Sequence, residues 1–349
     1  MVDKSRLVEV LPERVGSVSS PHFPHNLDDG QDYSWSLSSF KKTFKAHITR
    51  KSDWRIEFDL IGLDASIANA IRRVLLAEVP TVAIEQVFVF NNTSIIVDEV
   101  LSHRLGLVPI KVDPERIDER PEGVMPTDRN TLVFKLEVAC NRISDDPNLD
   151  ESEQIENLKV LSSALEWDPK GTQSEDFADD PPRPVQSDIL LAKLRPGQAI
   201  KMELHCVKGV GKDHAKFSPV STASYRLLPH IDIPDPSAIE PEHIEKFVSC
   251  FPPGVIGVRK HKETGRQEVY VKNARKDTVS REVLRYKEFE GKVSLGRIRD
   301  HFLFDIESSG VIPPQNLVPA AIKVLKEKIR AVRSGVERLE QQYAHIPQR

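Results

Sequence analysis

The sequence predicts a mixed α+β protein of about two domains, on three observations. The chain has 349 residues, and domains average roughly 150 residues. Period-two runs of the kind that make half-buried strands recur at 56–60, 132–140 and 200–206. Two other stretches follow the helical period, one from Asp64 to about Val79 and a longer one from about Gln315 to Tyr343. With 39% hydrophobic residues the chain is slightly apolar-poor, yet long enough to bury a real core.

Residues 1–39 read as an N-terminal extension, a flexible or peripherally docked tail rich in Ser, Pro, His and Asp, with a turn-rich run from Ser17 to Gly30. Ile56, Phe58 and Leu60 then alternate with Glu57 and Asp59 as a strand. Asp64 caps the helix that follows, and Pro80 stops it. One face of that helix carries Ile67, Ala70, Ile71, Val74 and Leu75, and the other Asn69, Arg72, Arg73 and Leu76. A leucine beside two arginines is either an ordinary exposed residue or the mark of a second packed face. Next come a strand from Val82 to Phe90, an Asn91-Asn92-Thr93 turn and a short strand from Ser94 to Val97. Asp98 starts a short helix through His103, with Gly106 suited to the left-handed position beyond its end.

The Pro- and acid-rich residues 112–130 read as loop. Cys140 and Cys206 fall on the apolar faces of their strands, as core residues rather than ligands. Residues 142–157 and 168–186 read as polar surface insertions. A short helix is expected near His243 to Ser249, closed by Phe251-Pro252-Pro253-Gly254, and Phe302, Phe304 and Ile306 share one face of a further strand. The last helix carries Leu317, Ala321, Val324, Leu325, Ile329, Val332, Val336 and Leu339 in one stripe. At ~1.5 Å per residue it is on the order of 40 Å long. A small domain does not cover that length, so a partner helix is the natural second wall. Ser334-Gly335 is a place for a kink.

The composition and motifs argue against several chemistries. Lys and Arg total 49 against 53 Asp and Glu, a net charge of −4, unlike a protein that binds nucleic acid over its whole surface. The locally basic stretch 259–287 is interleaved with Glu263, Glu268, Asp277 and Glu282, which suits a solvated or partner-facing surface; a nucleic-acid-binding module is the alternative reading. Three Cys exclude a disulfide framework and a four-Cys zinc site. No apolar run nears the ~18 residues of a membrane span, and the N-terminus lacks a signal-peptide stretch, so a reducing compartment and no membrane are expected. Gly209-Val210-Gly211-Lys212-Asp213 fails as a phosphate loop. One residue instead of four separates its glycines, and Asp213 stands where Ser or Thr would hold Mg²⁺. There is no zincin helix, CxxC pair or GxSxG elbow. No catalytic residue, metal site or cofactor is expected.

Several runs together resemble the α-like subunits of cellular RNA polymerases. Ala68-Asn-Ala-Ile-Arg-Arg-Val-Leu-Leu-Ala-Glu-Val-Pro80 looks like that family's first helix. Thr81-Val-Ala-Ile-Glu85, Asn91-Asn-Thr-Ser94, Asp98-Glu99 and His103-Arg-Leu-Gly-Leu-Val-Pro109 follow at the family's spacing, and Gly211-Lys-Asp-His-Ala-Lys-Phe-Ser-Pro219 resembles a second block. The runs 221–229, 251–257 and 274–285 look like the family's larger branch shared by eukaryotic RNA polymerases I and III; the equivalent subunit of another polymerase is the near alternative. The likeness spans about residue 40 to the C-terminus. The RNA polymerase II relative carries a zinc-binding Cys cluster after the HRLG block. Here no Cys lies between Ile110 and Ala139.

The resemblance implies an α+β fold with a discontinuous dimerisation domain, residues 40–79 and 227–349, and an inserted mainly-β domain, residues 80–226. It implies pairing with the smaller α-like subunit through Ile67, Ile71, Val74, Leu317, Ala321, Val324, Leu325, Ile329 and Val332. Asn69, Arg72, Arg73 and Leu76 match family positions near the second-largest subunits. His103, Arg104, Lys212, His214 and Lys216 match blocks close to neighbouring large subunits. Small zinc-binding common subunits are further implied partners, with no direct DNA contact. The implied role is a non-catalytic assembly platform for polymerases I and III, in the nucleus including the nucleolus.

Overall fold

The computed structural model describes residues 6–18, 35–144, 146, 154–260 and 265–343. Parts of the Ser17–Gly30 run, of the 142–157 insertion and of the basic stretch lie outside these residues. The chain divides into two compact units, each assembled from separated segments. The first holds the described residues up to Thr49, Glu57–Asn69 and Ser224–Asp305. The second holds Arg50–Ile56, Ala70–Ala223 and the chain from Ile306 onward.

In chain order the elements are β1 (Leu7–Val10), β2 (Val15–Gly16), α1 (Leu37–Thr43), β3 (Lys45–Lys51), β4 (Arg55–Ile61), α2 (Ala65–Ala77), β5 (Pro80–Asn92) and α3 (Asp98–Gly106). There follow β6 (Leu132–Ala139), β7 (Leu165–Trp167), α4 (Gln173–Asp176), β8 (Leu190–Lys193), β9 (Ala199–Val210) and β10 (Val220–Asp232). Last come α5 (Ile244–Ser249), β11 (Ile256–Lys260), β12 (Gln267–Val271), β13 (Ser294–Ser308) and α6 (Pro314–Tyr343).

The first unit is built on a six-stranded sheet in the order β2-β1-β13-β4-β3, with β10 also paired to β13. Phe58 of β4 stacks on Phe304 of β13 at 5.1 Å between centroids, and Tyr225 of β10 meets both Phe302 and Phe304 at 5.3 Å. A second cluster gathers Phe247 and Phe251 with Phe289, Val269 and Leu295. The N-terminal extension supplies a strand where the sequence pattern showed no regular element. Leu7 to Val10 pairs antiparallel with Leu295 to Ile298. Arg6 grips Asp300 through Nε and Nη2 at 2.8–3.0 Å, and Arg299 donates to the carbonyls of Leu7 and Ser17. Four residues are too few for a periodicity to stand out, and their pairing is fixed by a strand almost 300 residues away.

In the second unit a four-stranded antiparallel sheet runs β7-β6-β9-β5. Its core takes Leu132, Phe134 and Leu136 from β6 and Met202, Leu204 and Cys206 from β9, with Cys140 and the α3 residues Leu101 and Leu105 beside them. Both cysteines are therefore core residues. Edge strand β5 is irregular. His205 pairs with Gln86 and Cys206 with Ile84, which leaves Glu85 as an extra residue; Phe90 is skipped in the same way between Val89 and Asn91. Such bulges bend an edge and interrupt its pairing.

Two local expectations fail here. Residues 94–97 form no strand. The Asn92 side chain accepts from Ser94 and donates to the Ile96 carbonyl and to Asp98, so the segment curls into a turn. Gly106 stays inside α3, which ends at Leu107 in a right-handed conformation, its N–H on the Arg104 carbonyl. The predicted cap of α2 is present, Asp64 accepting from the Ser66 N–H at 2.8 Å. Helix α6 continues through Ser334-Gly335 and contains Pro319. Among the described residues no helix is long and apolar enough to cross a membrane.

Candidate subunit interfaces

Helix α2 turns the larger part of its apolar face inward. Ala68, Ile71, Val74 and Leu75 are buried, while Ile67 keeps 42% of its surface exposed. Of the three α2 residues that the family resemblance assigns to a partner interface, Ile71 and Val74 are thus covered by this chain itself and Ile67 is open. On the opposite face Arg73 is exposed and Asn69, Arg72 and Leu76 are half-buried. The C-terminal end of α2 is held by the second family block: Lys212 donates its N–H to the Ala77 carbonyl at 2.8 Å. Gly211 passes so near that a Cβ there would run into the Leu76 carbonyl oxygen.

Helix α6 changes character along its length. Leu317 and Ala321 are fully buried, Val324 and Leu325 half-buried, and Ile329 and Val332 are 61% and 68% exposed. Val336, Leu339 and Tyr343 continue the stripe in the open. The N-terminal half is tied down by Lys323 to Glu115 at 2.6 Å and Lys328 to Glu78 at 2.7 Å. Those pairs are solvated and add little to stability. Beyond Lys328 the helix presents an unpartnered apolar face about four turns long.

A third feature brings the two family blocks together. Ile84, Glu85 and Val87 of β5, Ser102, His103, Gly106 and Leu107 of α3 and its end, and His214 and Lys216 line one cavity of about 260 Å³. Lys216 lies half-buried at its base. Its ammonium donates to the Ile84 carbonyl at 2.8 Å, pairs with Glu85 at 2.5 Å and sits 5.1 Å from the Phe217 ring centroid. His214 caps the short turn that carries Lys216: its Nδ1 accepts the Lys216 N–H at 3.1 Å. Arg104 is drawn elsewhere. Its guanidinium donates to the carbonyls of Leu190 and Leu191, fixing α3 to β8. Lys212 is exposed on the 211–214 loop. The cavity thus unites His103, His214 and Lys216. It also includes Glu85, which the sequence reading did not assign to the site; the residue lies at the bulge in β5 and pairs with Lys216.

Three arginines of the basic stretch are paired within the chain. Arg259 pairs with Glu268 at 2.6 Å and Arg285 with Glu282 at 3.0 Å. Arg275 reaches Asp59 through both terminal nitrogens at 2.7 Å, and His301 lies 3.1 Å from the same carboxylate. Burial pushes the Asp59 carboxyl up, but the hydrogen bonds and charges of Arg275 and His301 outweigh it and leave its pKa below the ordinary value. Glu240, Glu242 and His243 bring potential metal-binding atoms within 4.8 Å of one another, but the two glutamates are exposed and His243 is only half-buried.

The second unit of this α+β chain ends in a long half-buried helix, and two sequence blocks meet in one of its cavities. Residues 57–329 match the RNA polymerase Rpb3/Rpb11 dimerisation domain. The chain belongs to this family, the α-like subunits of cellular RNA polymerases. It is 49% identical over 330 residues to the DNA-directed RNA polymerases I and III subunit RPAC1 of Saccharomyces cerevisiae, covering 93% of this chain and 96% of that protein. The subunits of the same name from Homo sapiens and Mus musculus are 47% and 46% identical over 337 and 347 residues, covering 94% and 97% of this chain and 95% and 98% of theirs. Within the family it resembles the larger α-like subunit shared by polymerases I and III.

Proposed function

We propose that the chain is a non-catalytic assembly subunit of RNA polymerases I and III, acting in the nucleus and the nucleolus. It pairs with the smaller α-like subunit through Ile67 and the outer stripe of α6. It then presents Asn69, Arg72, Arg73 and Leu76 on α2, with the His103, His214 and Lys216 surface, to the second-largest subunit, and small zinc-binding subunits join the same platform. In this reading residues 40–79 and 227–349 form the dimerisation domain around an insert at 80–226. The names and near-complete coverage of the relatives support polymerases I and III over other polymerases.

The observation that carries the proposal is the exposure of Ile329, Val332, Val336 and Leu339 on one face of α6, outward of a buried Leu317 and Ala321. A solvated helix end has no use for such a stripe, and a facing apolar helix buries it. Arginines suit the second contact because a guanidinium grips carboxylates and carbonyls bidentately. Affinity purification of the tagged chain from cells, with quantitative mass spectrometry, tests this. The large subunits of polymerases I and III and the smaller α-like subunit should co-purify. Arg72→Glu with Arg73→Glu should reduce the large subunits and leave the small one. Recovery of the large subunits at the wild-type level would refute the α2 assignment.

A further inference from the structure

We infer that the cavity between β5, α3 and the 214–216 turn receives an Asp or Glu side chain of the neighbouring large subunit. The inference rests on the assembly reading above and names what that contact recognises.

Donors dominate the cavity, and the proton positions follow from the geometry. His214 Nδ1 accepts the Lys216 N–H, so that nitrogen carries no proton. The imidazole proton then sits on Nε2, and the exposed ring offers Nε2–H outward as a donor. His103 is exposed on the same cavity, and an imidazole always has at least one N–H to give. The Lys216 ammonium has three N–H groups; two go to the Ile84 carbonyl and Glu85. The one carboxylate in the lining, Glu85, is already engaged by that lysine. Val87 and Leu107 supply the apolar walls.

Three donors on one cavity are served best by more than one acceptor atom. A backbone carbonyl offers a single oxygen, whereas a carboxylate offers two oxygens and about four lone-pair sites. A volume of about 260 Å³ has room for a single side chain. Charge-assisted N–H bonds to a carboxylate are also the stronger kind. The cavity is therefore a socket for one acidic side chain, with Lys216 held in place beforehand by Ile84 and Glu85.

The test uses polymerase purified through the tagged full-length chain. Carbodiimide treatment joins a carboxylate to an amine in direct contact with loss of water, so an amide between Lys216 Nζ and an Asp or Glu of a large subunit is the expected product. Lys216 joined to Glu85 alone would overturn the inference. In parallel, His103→Phe, which keeps ring bulk but removes the donor, should lower recovery of the second-largest subunit about 5- to 10-fold, and His214→Phe, which also removes the Nδ1 acceptor capping the Lys216 turn, should lower it at least as much. His214→Gln, which keeps a donor near the Nε2 place, should stay within about 2-fold of wild type. Recovery of the smaller α-like subunit should not change in any variant, which controls for folding. Phe variants that recover the large subunit normally, or a Gln variant as poor as Phe, would overturn the inference. So would a socket that responds only to free acetate or phosphate, as a melting shift with no amide formed. If even the wild type recovers no large subunit, the assembly reading itself has failed.

Discussion

Replacing Ile329 and Val332 together by Ala should dissociate the chain from the smaller α-like subunit without unfolding it. The two side chains are 61% and 68% exposed, so a facing helix removes about two thirds of each from water. Full burial of a Val or Ile side chain is worth about 1.5–3 kcal/mol, so the pair contributes about 2–4 kcal/mol to association. Because Ala retains a Cβ, the double variant should lose roughly 2–3 kcal/mol, a 30- to 150-fold weaker Kd. The chain's own melting should hardly move, since substitutions at exposed positions shift stability by about 0.5 kcal/mol or less. Titration of the purified smaller subunit by calorimetry, with thermal melts of the chain, measures both. An unchanged Kd would refute the assignment of the stripe, and a Kd loss matched by an equal loss of melting would show that the stripe serves the chain's own fold. Expressed alone, the wild-type chain should self-associate in light scattering, and the double variant less so; a stable wild-type monomer would count against the partner helix.

Leu317→Ala on the same helix should do the opposite, destabilising the chain by about 2–5 kcal/mol as a buried truncation, seen as a lower denaturation midpoint. Gly211→Ala forces a Cβ onto the Leu76 carbonyl and should cost about 1–3 kcal/mol, with faster amide exchange at Lys212, whose N–H bonds to Ala77. Asp59 has a lowered folded pKa, so its contribution to stability is complete above the unfolded carboxyl value near 3.9 and is lost as pH falls through the depressed value. Asp59→Asn should flatten that acid limb and cost about 2–3 kcal/mol at neutral pH. That is somewhat below a fully buried pair, because the Arg275 side chain is 30% exposed. Arg116 holds the Asp179 carboxyl down to about 2 through a hydrogen bond, so NMR titration should show that carboxyl ionised down to about pH 2 and returning toward 3.9 in Arg116→Ala.

The parts of the fold legible in the sequence are those where one period holds over a whole element. β6 and β9 alternate cleanly because one face of each meets the core, and their cysteines could be placed for that reason alone. α6 was legible as a helix, and its length already argued for a wall outside the chain. What periodicity could not show is where along α6 the burial changes hands. Ala321 and Leu339 are separated by about five full turns and so share one direction on a helical wheel, yet one is fully buried and the other 53% exposed. That difference is a tertiary fact: Glu115 and Glu78 meet the helix at Lys323 and Lys328, within its first half. β1 was missed for a related reason, its pairing being decided by β13. The failed strand at 94–97 reflects local competition: the Asn92 side chain offers the backbone a turn, and short polar side chains win such contests against two or three ladder bonds.

The site divides along the same line. Residues within one block, such as Asn69, Arg72 and Arg73, could be grouped by helical spacing alone. The cavity could not, since it needs β5 bulged at Glu85, α3 laid beside that edge and the 214–216 turn folded over it. Arg104 shows why a block cannot be carried over whole. It sits next to His103 in sequence, but its guanidinium is spent on the carbonyls of Leu190 and Leu191, while His103 faces the cavity. Truncating Arg104 strands two carbonyls, so a loss of assembly in such a variant does not by itself report a lost contact to the partner. Substitutions that separate recognition from scaffolding are therefore best made at His103, whose ring bears on the cavity, since Arg104 holds α3 to β8 and His214 also caps the turn that carries Lys216.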